Sequence, residues 1–520
     1  MARPSTILRS LKQSAGVFCR PQVTMNAPTE AKVLSTSRRD EVVAALRRLV
    51  PAHCLLHAEE DTRPYECDGL SLFRQLPMVV CLPETEEQVA SVVRACRSLN
   101  VPIVARGAGT GLSGGAQPHP AGVLLGLAKL NRIINIDPLA RTATVQPGVR
   151  NLAISEAVAH LGLYYAPDPS SQIACSIGGN VAENSGGVHC LKYGLTLHNV
   201  LRVRGVTIEG DIVEFGGDAP DAPGLDLLSI VIGSEGMLAI TTEVTVKLVP
   251  KPKLARVIMA SFDDVEVAGQ AVAAVIAAGI IPAGLEMLDQ QASRMVEPFV
   301  KAGYDTEAQA ILLLESDGTP EEVESEIKAM DAVLRKAGAT QIKVSQDEAE
   351  RLRFWAGRKN AFPAAGRVSP DYYCMDGTIP RKRLGQVLKA IADMERHFQL
   401  RCANVFHAGD GNLHPLILFD ANDPDEVKRA EDFGAAILEL CVEVGGTVTG
   451  EHGVGIEKIN QMCVQFSRAE LDMFFGVKRA FDEPGLLNPG KAIPTLARCA
   501  EYGRMHVHCG KLPFADLPRF

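Results

Sequence analysis

With 520 residues, 46% apolar and 22% charged, the chain has the composition of a soluble globular protein and the length for two or more packed cores. A net charge of -9 without a dominating basic tract argues against a nucleic-acid partner. The longest strongly apolar run, Ala271 to Leu285, is too short for a membrane span and contains Gly279 and Pro282, so it reads as a helix end followed by a buried strand. Thirteen cysteines without a CxxC spacing point to a reducing compartment with no disulfide framework, and argue against an iron–sulfur cluster held by this chain alone.

The first 29 residues carry Arg3, Arg9, Lys12 and Arg20 before the first acid, Glu30. They read either as an organellar transit peptide or as a disordered tail ahead of a true start at Met25, and residues 1–40 are set apart on that basis. Residues 77–83 form a strand. Thr85 then caps a helix to about Asn100, with Glu86 and Glu87 in its first turn. A strand over 101–105 completes a small βαβ unit and delivers the chain into a glycine-rich loop. Strands are predicted at 122–126, 133–136, 142–145, 199–206, 211–215 and 238–248, so residues 41–252 make one α+β domain bordered by Pro250-Lys-Pro252. From 253 to 495 a second α+β domain is expected, with strands at 255–262, 281–288 and 309–315. Its helices fall at 320–337, 380–398 and 423–444. Thr319-Pro320-Glu321-Glu322 is a strong helix start. Another helix follows Ser467, then a turn, Gly485 to Lys491, able to reach back to the first domain, and a tail over 496–520.

The loop Arg106-Gly-Ala-Gly-Thr-Gly-Leu-Ser-Gly-Gly115 satisfies a dinucleotide pattern literally, but Gln117-Pro-His-Pro120 cannot open the helix that a Rossmann site needs. It is better read as a nest of amides around a diphosphate. A second stretch, Pro167 to Gly194, is so rich in glycine and small polar residues that a loop of this length must wrap something, with Ile173, Ile177 and Val181 pinning it inward. Near the far end, His407-Ala-Gly-Asp-Gly-Asn-Leu-His414 and Gly450-Glu451-His452-Gly453-Val-Gly455 offer two imidazoles and a carboxylate to a divalent metal, with one imidazole beside them as a base. His119, His189 and His198 are read as structural or peripheral.

These motifs, with Pro-Asp-Pro-Ser-Ser, Ile-Gly-Gly-Asn, Asn-Ser-Gly-Gly and Gly233-Ser-Glu-Gly236 in that order, resemble the vanillyl-alcohol oxidase and p-cresol methylhydroxylase flavoproteins. The two histidine motifs add a likeness to the branch acting on D-2-hydroxy acids. Ser369 to Pro380 and the tail Arg498 to His508 resemble most of all the flavin subunits of bacterial glycolate oxidases. The resemblance spans roughly residues 45 to 518. It implies an α+β fold: a two-part FAD-binding domain of the p-cresol methylhydroxylase type, an α+β substrate domain, and a C-terminal helical segment returning to the FAD domain.

Carried over by residue, the resemblance implies that Arg106, Gly107, Ala108, Gly109, Thr110, Gly111, Leu112 and Ser113 hold the FAD pyrophosphate. Pro167, Asp168, Ser171, Ser176, Gly178, Gly179, Asn180, Asn184, Gly186, Gly187, Tyr193, Glu235, Gly236 and Ile240 would line the rest of the cofactor, with Asn488 reaching it from the C-terminal end. The loop lacks the histidine that often carries covalent flavin, so FAD is expected to be non-covalent. His407, His414 and Glu451 match the ligands of a divalent metal, zinc or manganese. His452 matches the base, and Arg358 the partner of the substrate carboxylate. Taken alone, Arg358 reads equally well as a surface salt bridge. Where the hydroxyglutarate enzymes use Thr and Lys, this chain has Phe362 and Cys374, which favours a short acid such as glycolate or D-lactate.

The chemistry expected is metal-lowered hydroxyl acidity, proton removal by His452, and hydride transfer from C2 to flavin N5. D-lactate or D-2-hydroxyglutarate oxidation is the alternative activity. A structural flavin-binding subunit and a nicotinamide dehydrogenase are the rival classes. The same resemblance implies a second flavin-type subunit and an iron–sulfur subunit as partners in a glycolate oxidase complex. The tail, Arg498 to Phe520, is expected either to help form that interface or to pack on its own domain. The resemblance also implies a cytoplasmic location, with membrane association only through those partners.

Overall fold

The computed structural model describes residues 36–219 and 224–494. The basic N-terminal stretch and the tail from Arg498 lie outside them. A helix, Thr36–Leu46, begins inside the stretch set apart as a tail, because Val42, Val43 and Leu46 bury against the core around the helix Glu86–Ser98. That helix starts as expected, with the Thr85 side chain accepting from the Gln88 amide, a cap contributing about 1 kcal/mol. It crosses over between the strands Val79–Cys81 and Ile103–Arg106, which both run parallel to Val123–Gly126 lying between them. The return from the C-terminus is real. The Ile103 amide donates to the Leu486 carbonyl (2.8 Å) and the Asn488 amide to the Ile103 carbonyl (2.7 Å), adding the end of the chain to this sheet's edge.

A five-stranded antiparallel sheet follows, ordered Ile133–Asp137, Thr142–Val145, Ile240–Lys247, Val200–Val206, Ile212–Gly216. The segment read as a long wrapping loop contains a helix, Ile177–Glu183, which packs Ile177 and Val181 onto this sheet. Ser176 caps it by accepting from the Gly179 amide. Glycine is a poor helix former, yet burial of the apolar face and the cap outweigh the propensity of Gly178 and Gly179. Ile173, expected to point inward, is 66% exposed.

The second half is built on seven antiparallel strands, ordered Gln341–Val344, Leu254–Phe262, Ala310–Gly318, Gly284–Asp289, Arg401–Phe406, Pro415–Phe419, Asp371–Cys374. Alternate residues of Leu254–Phe262 face opposite layers, as a pleated strand requires. Ile258 and Ala260 meet the helices Val265–Ala277 and Pro320–Lys336, whereas Val257 and Met259 meet Gln290–Val300 and Glu348–Lys359. Four of these strands escaped the sequence reading. Burial on both faces explains Arg401–Phe406 and Pro415–Phe419, which lack clean polar alternation, whereas Gln341–Val344 and Asp371–Cys374 are short strands of four residues each, only partly buried. Nine of the described cysteines are free thiols.

Candidate active site

The glycine-rich loop leaves the C-terminal end of the strand Ile103–Arg106. Gly109 takes φ +70°, and the Arg106 guanidinium folds back over it while donating to the Cys67 carbonyl (2.6 Å). A Cβ at Gly109 would overlap that guanidinium, and one at Gly107 would overlap Ser176 Oγ. The loop and the Ser176-capped helix are thus held in contact with bare backbone between them. Such a surface suits a large flat or phosphorylated ligand approached by main-chain groups.

From this loop one cavity of ≈ 550 Å³ runs to the far histidines. Of the residues expected to bind cofactor, 106–112, Ser171, Ser176, 178–180, Glu235 and Gly236 line it. Arg358, His407, His414, Glu451 and His452 line its other end. Ser113, Pro167, Asp168, Asn184, Gly186, Gly187, Tyr193, Ile240 and Asn488 are not among its lining residues. Several of them brace the residues that are. Asn488 donates to the carbonyls of Gly115 (2.9 Å) and Glu235 (2.6 Å). Asn184 ends the helix Ile177–Glu183 in the left-handed region and accepts from the Leu197 amide. Tyr193 donates to Asp317 (2.6 Å). Gly186 lets the first half's backbone approach the Glu451 carboxylate, which a Cβ would crowd. Ile240 opens a strand opposite Val206.

His407 and His414 each present Nε2 to Glu451 Oε1, at 3.2 and 2.9 Å. Their Nδ1 atoms are already engaged: His407 with Glu286 Oε1 (2.7 Å) and His414 with the Met375 carbonyl (3.4 Å). Two imidazoles oriented through Nδ1, with Nε2 converging on a carboxylate, are donors of the kind that suits a divalent cation. Burial drags the His407 pKa down, but Glu286 and Glu451 overcome it and raise the ring to about 10. Glu286 and Glu451 thus favour positive charge at this position.

His452 differs. Its ring stacks on His414 with centroids 4.8 Å apart, its Nδ1 is buried without a hydrogen-bond partner, and burial pushes its pKa down to about 4. It is therefore neutral and able to accept a proton at physiological pH. Arg358 is 3% exposed and donates Nε to Glu286 (2.5 Å), with Nη2 3.2 Å from His407 Nε2. That burial removes the surface salt-bridge reading.

Sequence reasoning missed four side chains. Glu286 holds both His407 and Arg358. Its one signal was an acid in the middle of the largely apolar strand Gly284–Asp289, and charges are rarely buried without a partner. Asp376 accepts from the amides of Gly450, Glu451 and His452, from the Thr449 hydroxyl and from Lys458 (2.8 Å). His189, read as peripheral, bridges Asp168 (2.8 Å) in the first half to Glu315 (3.2 Å) in the second. Glu183 lines the cavity wall, and burial beside Glu235 pushes its pKa far above the usual carboxylate range.

Comparison with known proteins agrees with this geometry. Residues 77–216 match the FAD binding domain, and residues 251–492 match the C-terminal domain of FAD linked oxidases. The chain belongs to the FAD-linked oxidases. Among its relatives, the glycolate oxidase subunit GlcD of Escherichia coli K12 is 62% identical over 93% of this chain and 97% of that protein. The GlcD subunit of Bacillus subtilis 168 is 40% identical over 84% and 93%. A D-lactate dehydrogenase of Anaerostipes hadrus is 30% identical over 87% and 97%. In fold the chain is similar to p-cresol methylhydroxylase with substrate bound, at a TM-score of 0.74 and 18% identity, covering 90% of this chain and 99% of that one. Among the described residues, no helix is long and apolar enough to cross a membrane.

Proposed function

We propose that this chain oxidises glycolate, with D-lactate as a second substrate, to the 2-oxo acid, and that its flavin subsequently passes electrons to partner subunits. One observation carries the reading: a single cavity joins the bare glycine loop to Arg358, His407, His414, Glu451 and His452. The glycine cradle fits non-covalent FAD, and the His407, His414 and Glu451 donors fit zinc or manganese. When bound, these groups supply the hydride acceptor and the charge that makes the substrate hydroxyl acidic. The chain's own residues do the rest. Arg358, aligned by Glu286, orients the substrate carboxylate as a planar donor. His452, neutral and with an unpartnered nitrogen, takes the hydroxyl proton. Phe362 lines the cavity with its ring 5.6 Å from Tyr372, and Cys374 is buried, so neither supplies a cation for a second carboxylate. That favours a short acid.

The likeness to proteins named as glycolate oxidase subunits supports work in a complex, with a second flavin-type subunit and an iron–sulfur subunit as partners. The proposed division into domains over 41–252 and 253–495 is supported by separate matches over 77–216 and 251–492. The test is anaerobic mixing of the purified flavoprotein with a panel of 2-hydroxy acids, alongside metal analysis. Glycolate should bleach the flavin fastest, D-lactate next and D-2-hydroxyglutarate least. A flavin that no member of the panel reduces would return the chain to the structural-subunit class.

A further inference from the structure

We infer that Glu235, in the flavin half, is a positioning residue for the metal-and-base turn of the substrate half; this rests on the function proposed above. Of the six consecutive amides from Gly450 to Gly455, five donate to just two carboxylates. Gly450, Glu451 and His452 donate to Asp376. Val454 and Gly455 donate to Glu235, at 2.7 and 2.8 Å. The remaining peptide is held from its other side, where the Gly453 carbonyl accepts from Lys458 and Thr449, both at 3.0 Å. Asp376 belongs to the same half as the turn, but Glu235 does not.

Three further features show a built junction. Glu235 sits at φ +52°, a left-handed conformation costly for a side chain of its kind. A Cβ at Gly453 would overlap Glu183 and come 3.1 Å from Glu235, and a Cβ at Gly455 would overlap the Ser113 carbonyl. That carbonyl accepts from the amides of Ile456 (3.0 Å) and Glu457 (3.1 Å). The glycines of Gly453-Val-Gly455 therefore serve the joint between halves. Glu451 and His452, immediately before them, are aimed by it. The register between the glycine loop and the base depends on this joint, since His452 is two residues from the first amide that Glu235 grips.

The experiment compares Glu235→Gln with the parent holoenzyme. Gln keeps the size but can accept from only one of the two amides without presenting its own N–H to the other. Expected are retained flavin, manganese binding about 10- to 100-fold weaker after chelator treatment, as for lost supports of metal ligands, and slower flavin reduction by glycolate that excess manganese partly restores. Unchanged manganese affinity and reduction rate would overturn the inference, as would loss of flavin with metal binding intact. If the variant does not fold, Glu235→Asp, which keeps the charge and can hold one amide, is read in the same assays and should fall between parent and loss. A parent that binds no manganese sinks the metal reading alone. The positioning role is then decided by whether Glu235→Gln slows flavin reduction or leaves it unchanged.

Discussion

Two glycine-rich loops meet across one cavity, and they use glycine for opposite ends. In residues 106–115 the glycines strip side chains away: Arg106 is turned back onto the Cys67 carbonyl, and the wall that remains is backbone. In residues 450–455 the glycines let the backbone be gripped by Asp376 and Glu235, so that Glu451 and His452 project with little freedom. Glycine density thus marks close approach. Whether the approaching partner is a ligand or another part of the protein depends on what the fold brings there.

Variants of each loop should separate these roles. The largest effect is expected from His407→Ala or Glu451→Ala: loss of the bound divalent ion and of turnover with the flavin spectrum intact, read by metal analysis and spectrophotometry. His452→Gln comes next, with flavin and metal retained and reduction by glycolate ~100- to 10,000-fold slower, measured by anaerobic rapid mixing. The sign of the pH dependence follows from its environment. A base whose pKa is lowered to about 4 stays deprotonated through neutral pH, so the reduction rate should hold steady below pH 6.5 and fall only toward pH 4. A fall centred near 6.5 would show an ordinary, unburied imidazole at work.

Arg358→Met should lower kcat/KM for glycolate by about 10- to 100-fold, the loss of a hydrogen bond to a charged group at ~1.5–3 kcal/mol, chiefly through KM. An unchanged KM would detach Arg358 from the substrate carboxylate. The smallest expected effect is the mirror image on the other loop. Gly109→Ala forces a side chain into the left-handed region at ~1–2 kcal/mol and against the Arg106 guanidinium, so FAD affinity should drop by about tenfold or somewhat more while metal content is kept. If Gly109→Ala sheds metal rather than flavin, the division of labour between the loops is wrong.

Legibility in the sequence followed the range of the interactions. The helices Glu86–Ser98, Pro320–Lys336 and Arg468–Phe481 announced themselves because their caps lie within three residues of their starts: Thr85 with Gln88, Thr319 with Glu322, Ser467 with Glu470. The strand Thr142–Val145 was likewise readable from local pattern. The helix Ile177–Glu183 was not, since its glycines argue for a loop and only packing against a sheet assembled from distant strands overrides them.

The site divides in the same way. His407, His414, Glu451 and His452 were legible because each lies in a short motif whose residue types already suggest ligation and proton transfer. Glu286 and Asp376 were not, and Glu235 was read only as a cofactor contact, for their further meaning lies in partners 121, 75 and 219 residues away: His407, the Glu451 amide and the Val454 amide. The sequence by itself determined the inventory, namely a bare glycine loop, three imidazoles and a carboxylate in local turns, and helices that start where their caps stand. Only the tertiary structure decided the aim of these groups and the protonation of His407 and His452. Orientation and pKa are set by burial and by charges brought close through chain closure over long separations, and no local pattern records them.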